Sequence, residues 1–246
     1  MEIGISLGWR CEASQILVRR KLRNTKIEGY MTCPFDIGIT NYIGICKCIE
    51  DDFKYFCDPN YLILREEPKL KKILGDNQTE DQYWIYNTYY NFAFNHESPG
   101  HGNLYLSENW EGGINHFVNN NFQKFIDRYT NRINNFKNYL NLDNVKINFL
   151  LLRYNSIPYK LIDIIKNKYP KLNFVIHCAI NYSNESLNIS LKKNEEGIKE
   201  FDIQYLKYLN ISKEQYPEEY ERYEKNMNKE EYDKINNSYI NILYLD

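Results

Sequence analysis

Ile3-Gly4-Ile5-Ser6-Leu7 alternates apolar with small or polar residues and stops at Gly8, which predicts a strand closing into a tight turn. From Cys11 the period changes. Ala13, Ile16 and Leu17 recur at helical spacing, and Arg19, Arg20 and Lys21 crowd the last turn, where the helix dipole favours cations. The chain therefore opens as strand, turn, helix. Residues 24–36 connect this unit to a second helix predicted within 39–57, which buries Ile43, Ile45 and Ile49.

The clearest periodicity spans 117–140, where Phe122, Phe125, Ile126, Tyr129, Ile133, Phe136 and Leu140 make one apolar stripe. Residues 145–153 follow, and the run Phe149-Leu150-Leu151-Leu152 suits a strand covered on both faces. Ser156 and Pro158 mark a helix start, Leu161, Ile162, Ile164 and Ile165 supply its buried side, and Tyr169-Pro170 ends it. With a buried strand at 172–178, this makes a βαβ unit and hence a parallel pair with a right-handed crossover. The tail predicts a helix over about 213–235 and an edge strand over 239–245. Residues 58–115 are the least periodic, with short antiparallel strands expected around 83–94. The predicted class is α/β: a mostly parallel central sheet with helices on both faces and a loop-rich insert at 58–115, in a single domain over 1–246.

Composition narrows the partners. A formal net charge of −2 over 246 residues gives no bulk attraction to nucleic acid or to an anionic membrane, and neither is expected as a partner. No apolar run approaches the ~18 residues of a membrane span. The first eight residues are too short and too uncharged for a signal peptide, so a soluble, cytoplasmic chain is expected. In that compartment the six cysteines, at 11, 33, 46, 48, 57 and 178, read as reduced thiols. The 23 tyrosines accompany an excess of Asn, Lys and Ile, a bias that AT-rich coding produces, and they are no evidence for nucleic-acid binding.

Cys11 is the leading candidate for chemistry. A thiolate is stabilised by the unpaired N–H groups and positive dipole end of a helix's first turn, and Cys11 stands there after a turn-forming glycine. Arg10 beside it adds a cation, while Glu12 opposes the effect. The competing reading is that Cys11 simply packs the helix onto the sheet.

Ser6-Leu7-Gly8-x-x-Cys11, then Pro34-Phe35-Asp36, then Asn95-His96 followed by an acid, resembles the DUF1796 family of putative papain-like cysteine peptidases. Tyr129-x-x-Arg132-x-x-x-Phe136 and the strand ending Leu152-Arg153 are similar to the family's later blocks, so the resemblance covers roughly residues 3–155. It implies a nucleophile at Cys11, a base at His96 and an orienting or structural role for Asp36. Three positions depart from the pattern: Trp9-Arg10 replaces the family's Ser-Asn, and Glu97 stands where Asp is common. The strand–helix opening and the βαβ unit differ from papain, whose cysteine heads a helix with no preceding parallel strand. Topology therefore decides the fold reading.

Topology also offers a rival base. Ligands collect at the carboxyl ends of parallel strands, and strands ending near Leu7, Leu152 and Ile176 would set Cys11, Arg153 and His177 along one edge. His101 and His116 have no such context. Arg128 and Arg132 project from one side of the long helix, and with Arg153 they could bind a phosphate or carboxylate. The alternative for them is a solvated helix face with a structural ion pair. Cys33, Cys46, Cys48 and Cys57 lack the paired knuckles of a zinc site, and no dinucleotide or P-loop glycine motif occurs, so neither metal nor cofactor is expected. Three functions remain open: a cysteine-dependent hydrolase or acyl-transfer enzyme, a glycan-assembly or glycan-modifying enzyme gripping a phosphorylated sugar donor, and a non-catalytic relative. The substrate, whether peptide, acyl or glycan, is left open.

Overall fold

The computed structural model describes residues 1–66, 83–99, 110–152, 158–181 and 240–245. In chain order these carry β1 (Glu2–Ser6), α1 (Glu12–Arg19), α2 (Tyr42–Glu50), β2 (Leu62–Glu66), β3 (Tyr83–Asn87) and β4 (Phe92–Phe94). Then come α3 (Asn119–Leu140), β5 (Lys146–Leu152), α4 (Tyr159–Lys168), β6 (Asn173–Asn181) and β7 (Ile240–Leu245). The tail helix expected near 213–235 lies outside the described residues.

Four strands share one sheet in the order β1-β5-β6-β7, and each neighbouring pair is parallel. The register sets Ile5 against Phe149 and Phe149 against Ile176, and none of the three is exposed. These apolar side chains, with Ile147, Leu151 and Phe174, share a core with Ile43 and Ile49 of α2, Phe136 of α3 and Leu161 and Ile165 of α4. Alternate residues of β5, Leu150 and Leu152, pack instead with Ala13, Ile16 and Leu17 of α1. Period two in the strand thus assigns α1 to a different apolar cluster from the other helices. The β5-α4-β6 crossover forms as the sequence predicts, and Leu7 adds one more bond past β1, its N–H donating to the Leu150 carbonyl at 2.9 Å.

The irregular insert turns out to hold a second sheet. β2, β3 and β4 pair antiparallel in that order, and Ile85, Phe92 and Phe94 enter the main core. The fold is α/β with a parallel and an antiparallel sheet, so the expectation of one mostly parallel sheet with a loop-rich insert needs that amendment. Phe35 joins the two parts: its ring lies 5.7 Å from Phe53, 6.0 Å from Phe92 and 5.8 Å from Phe136. Such edge and offset contacts add stability beyond burial alone.

Helix ends follow local chemistry. Asn41 caps α2 by accepting from the Gly44 N–H at 2.7 Å. After α1, Lys21 takes a left-handed conformation (φ 56°) and the Leu22 N–H returns to the Leu17 carbonyl, the Schellman arrangement that satisfies orphan carbonyls. Asp52 and Phe53 end α2 with the same return, from the Phe53 N–H to the Cys48 carbonyl.

Candidate functional site

The turn from β1 into α1 is built from an unusual backbone. Gly8, Trp9 and Arg10 have φ of 108°, 68° and 59°, three successive residues in a region that side chains disfavour. For a non-glycine residue this costs on the order of 1–3 kcal/mol and persists only when the surroundings impose it. Here they do. The Gly8 N–H donates to Ser6 Oγ at 3.0 Å, Thr40 Oγ1 donates to the Leu7 carbonyl at 2.9 Å, and the Arg10 N–H donates to the Gly38 carbonyl at 2.9 Å. Trp9 is buried among Trp84, Tyr86 and Leu152. A Cβ at Gly8 would run into the Thr40 side chain, so glycine is required on two grounds.

This turn delivers Cys11 directly before α1. Its backbone is helical (φ −75°, ψ −8°), its carbonyl accepts the Gln15 N–H at 3.0 Å, and its half-buried Sγ accepts from Gln15 Nε2 at 3.6 Å. One turn on, Ser14 Oγ donates to the Asp36 carbonyl at 2.6 Å. The first turn of α1 is therefore pinned at both ends, Arg10 to Gly38 and Ser14 to Asp36.

Asp36 is 2% exposed and its carboxylate is fully engaged. Arg23 Nη1 reaches Oδ1 at 2.7 Å, and Oδ2 accepts from the Cys33 N–H at 2.7 Å and from the Tyr30 hydroxyl at 3.1 Å. Arg23 also donates to the Ser14 carbonyl and lies over the Tyr30 ring. Burial, reinforced by the Asp36 charge, pushes both the Tyr30 hydroxyl and the Cys33 thiol well above their ordinary ranges. The guanidinium on Asp36 belongs to Arg23, which carries no motif in the sequence; Arg153 lies outside the described residues.

His96 sits in a short 3-10 turn, Asn95–Glu97, after β4. Ile39 and Ala93 form a bridge with both hydrogen bonds made, at 2.8 and 3.0 Å, and the Phe94 ring borders Gly38. Residues 36–38 thus accept hydrogen bonds from Arg10 and Ser14 around the first turn of α1, and Gly38 borders the ring of Phe94, the residue before the His96 turn.

Within that turn His96 is half-buried, while Glu97 is fully buried. Glu97 Oε1 takes Arg132 Nη1 at 3.0 Å and Arg128 Nε at 3.2 Å, and Oε2 accepts from the Tyr129 hydroxyl at 3.1 Å. Burial and then the Glu97 charge push the Tyr129 hydroxyl well up. Arg128 and Arg132, expected to grip a ligand's phosphate or carboxylate, hold the protein's own Glu97. Asn95 differs from both neighbours: it is 1% exposed, and neither Nδ2 nor Oδ1 has a hydrogen-bond partner among the described residues.

His177 on β6 is level with Leu150 of β5 and, through it, with Ser6 of β1. His177 is buried on β6 with Nε2 3.0 Å from Asn148 Oδ1, and Asn148 Nδ2 donates to Glu2 at the amino end of β1. His116 stacks on Trp110, with Nδ1 2.7 Å from the Glu111 carbonyl. His101 lies outside the described residues.

A family model described as "Putative papain-like cysteine peptidase (DUF1796)" matches residues 3–189. No curated protein and no solved structure matches the chain.

Proposed function

The chain belongs to the DUF1796 family, and on that premise we propose that it is a cysteine-dependent hydrolase or acyl-transfer enzyme with Cys11 as nucleophile and His96 as base. The observation that carries this reading is the imposed left-handed turn, which presents a half-buried Sγ at the head of α1. The other thiols are poor candidates. Cys33 and Cys48 are buried and pushed well up by burial, and burial raises Cys57 to about 11 and Cys178 to about 12.

In the proposed reaction His96 takes the Cys11 thiol proton while sulfur attacks a carbonyl carbon, forming an S–C bond and a tetrahedral adduct. Collapse breaks the bond to the leaving group, which departs with the proton from His96. Water, deprotonated by His96, then attacks the thioester, and the S–C bond breaks to return the thiol. Asp36 acts as a positioning residue through Ser14 and Cys33, and Glu97 positions the His96 turn. A glycan enzyme gripping a phosphorylated donor through Arg128, Arg132 and Arg153 has less support, because the first two guanidiniums are engaged on Glu97.

Iodoacetamide labelling at about pH 6, read by intact mass and peptide mapping, tests the reading. Cys11 should react well ahead of the other five cysteines, and His96→Ala should remove that lead. A Cys11 that reacts no faster than the rest defeats the assignment.

A further inference from the structure

α3 grips two separate parts of the candidate site. Arg128, Tyr129 and Arg132 hold Glu97, the residue after His96. Further along the helix, Asn135 Nδ2 donates to the Thr32 carbonyl at 3.0 Å, and the Tyr139 hydroxyl accepts from the Met31 N–H at 2.7 Å. The Tyr139 ring also stacks on Tyr30, with centroids 5.5 Å apart, and the Phe136 ring meets Phe35. This stretch of chain is the one that holds Asp36, through the Tyr30 hydroxyl and the Cys33 N–H. The Asp36 carbonyl in turn accepts from Ser14, in the turn of helix that follows Cys11.

Helical spacing makes the two grips a fixed distance. Asn135 follows Arg128 by seven residues, and Tyr139 follows Arg132 by seven. Seven residues are nearly two turns, so both grips leave the same side of α3, about 10 Å apart at roughly 1.5 Å of rise per residue. The non-helical residues of α3, Asn120, Asn121 and Phe122, all precede the first grip. A helix regular over such a span resists shortening or bending, because every turn is closed by backbone hydrogen bonds. We propose that Tyr139 and Asn135 are positioning residues, and that α3 sets the separation between the loop supporting Cys11 and the turn carrying His96. This rests on Cys11 and His96 being nucleophile and base. An imidazole ionises a thiol only when the two are held within reach. Loosening the Tyr139 end lets the 30–36 loop, and with it the first turn of α1, drift relative to His96.

The test measures alkylation of Cys11 by iodoacetamide in the full chain, by peptide mapping, at about pH 6 and about pH 9.5. At both, sulfur forms the S–C bond, the C–I bond breaks and iodide leaves. An ordinary thiol is ionised at the higher pH, so that rate reports access alone. At the lower pH it is almost wholly protonated, and thiolate depends on pairing with the imidazole. The ratio of the low-pH rate to the high-pH rate therefore reads the pairing and not a general loss of stability. Tyr139→Phe should lower the ratio about fivefold, well inside the roughly hundredfold that a 1 Å misplacement can cost. Asn135→Ala, at a half-buried residue, should lower it too, and decides the matter if Tyr139→Phe does not fold. Tyr90→Phe is the control. It removes a hydroxyl bonded to Asp51 and to the Tyr55 N–H, and should lower the melting temperature while leaving the ratio as in the wild type. An unchanged ratio in folded Tyr139→Phe, with His96→Ala still lowering it, overturns the positioning role alone. A ratio that falls equally in Tyr90→Phe overturns it as well, because lost stability then accounts for the effect. A wild-type ratio that His96→Ala does not lower overturns the proposal together with its premise.

Discussion

Arg132, on the buried side of α3, donates to Glu97 at 3.0 Å and so ties the longest described helix to the turn that carries His96. The pair is enclosed: the Arg132 side chain is 8% exposed and that of Glu97 not at all. An ion pair so placed contributes little net stability over an apolar substitute, but losing one partner strands the other charge in a poor solvent.

Glu97→Gln should therefore cost about 3–5 kcal/mol of stability in urea unfolding, whereas Tyr129→Phe, which removes one hydroxyl donor, should cost only about 1 kcal/mol. Cys11 alkylation should slow in Glu97→Gln at denaturant-free conditions. Equal stability losses in the two variants would show that charge enclosure is not the controlling effect.

The Arg23–Asp36 pair allows a stricter check by a double-mutant cycle. Asp36→Asn alone should lose about 3–5 kcal/mol, because Arg23 remains buried beside a neutral amide. Adding Arg23→Leu should recover part of that loss, giving a favourable coupling of about 1–3 kcal/mol. Simple additivity would argue that the two side chains act separately.

Gly8→Ala should destabilise by more than the roughly 1–2 kcal/mol expected for a disfavoured backbone, since the new methyl also meets Thr40. In a Thr40→Ala background the added cost of Gly8→Ala should shrink toward the backbone contribution alone. Thermal melts of the four proteins give both numbers.

His177 predicts a pH dependence. Burial, the leading cause, and Lys146 hold its imidazole below the ordinary 6.5 in the folded chain. The neutral ring donates from Nε2, because Asn148 turns its amide nitrogen to Glu2 and leaves Oδ1 to accept. As pH falls through 6.5, the unfolded chain binds a proton at this site before the folded chain does, so stability drops from there down to the folded value. Urea midpoints measured from about pH 7.5 to about pH 5.5 should fall, and His177→Gln should flatten the part of the slope that begins near neutrality. An unaltered slope would assign the effect to other groups.

The parts of the fold legible in the sequence are those with local period. β1, α1 and the β5-α4-β6 crossover are written in residues a few positions apart, and they appear where expected. The β2-β3-β4 sheet was not readable beyond short antiparallel strands near 83–94, because β4 has three residues and β2 finds its partner β3 across a long stretch of sequence. The site divides the same way. Cys11 is marked by its place between a turn and a helix, and Arg128 and Arg132 by their spacing of four. Their partner Glu97 lies far off in sequence, as Arg23 and Tyr30 are tied to Asp36 only by tertiary packing. Asn95 is marked in the sequence by the Asn95-His96 step, but its burial shows only in the structure.

The parallel pairing of β1 with β5 imposes a schedule on synthesis. Glu2 to Ser6 find their strand neighbours at Lys146 to Leu150, and the Leu7 N–H that opens the Cys11 turn donates to Leu150. A ribosome-bound chain that has not yet released β5 has no neighbour for its first strand, and closing so long a loop is slow. Cys11, translated well before β5, is thus set in place only after it, and any reactivity that depends on its turn begins only when the sheet does.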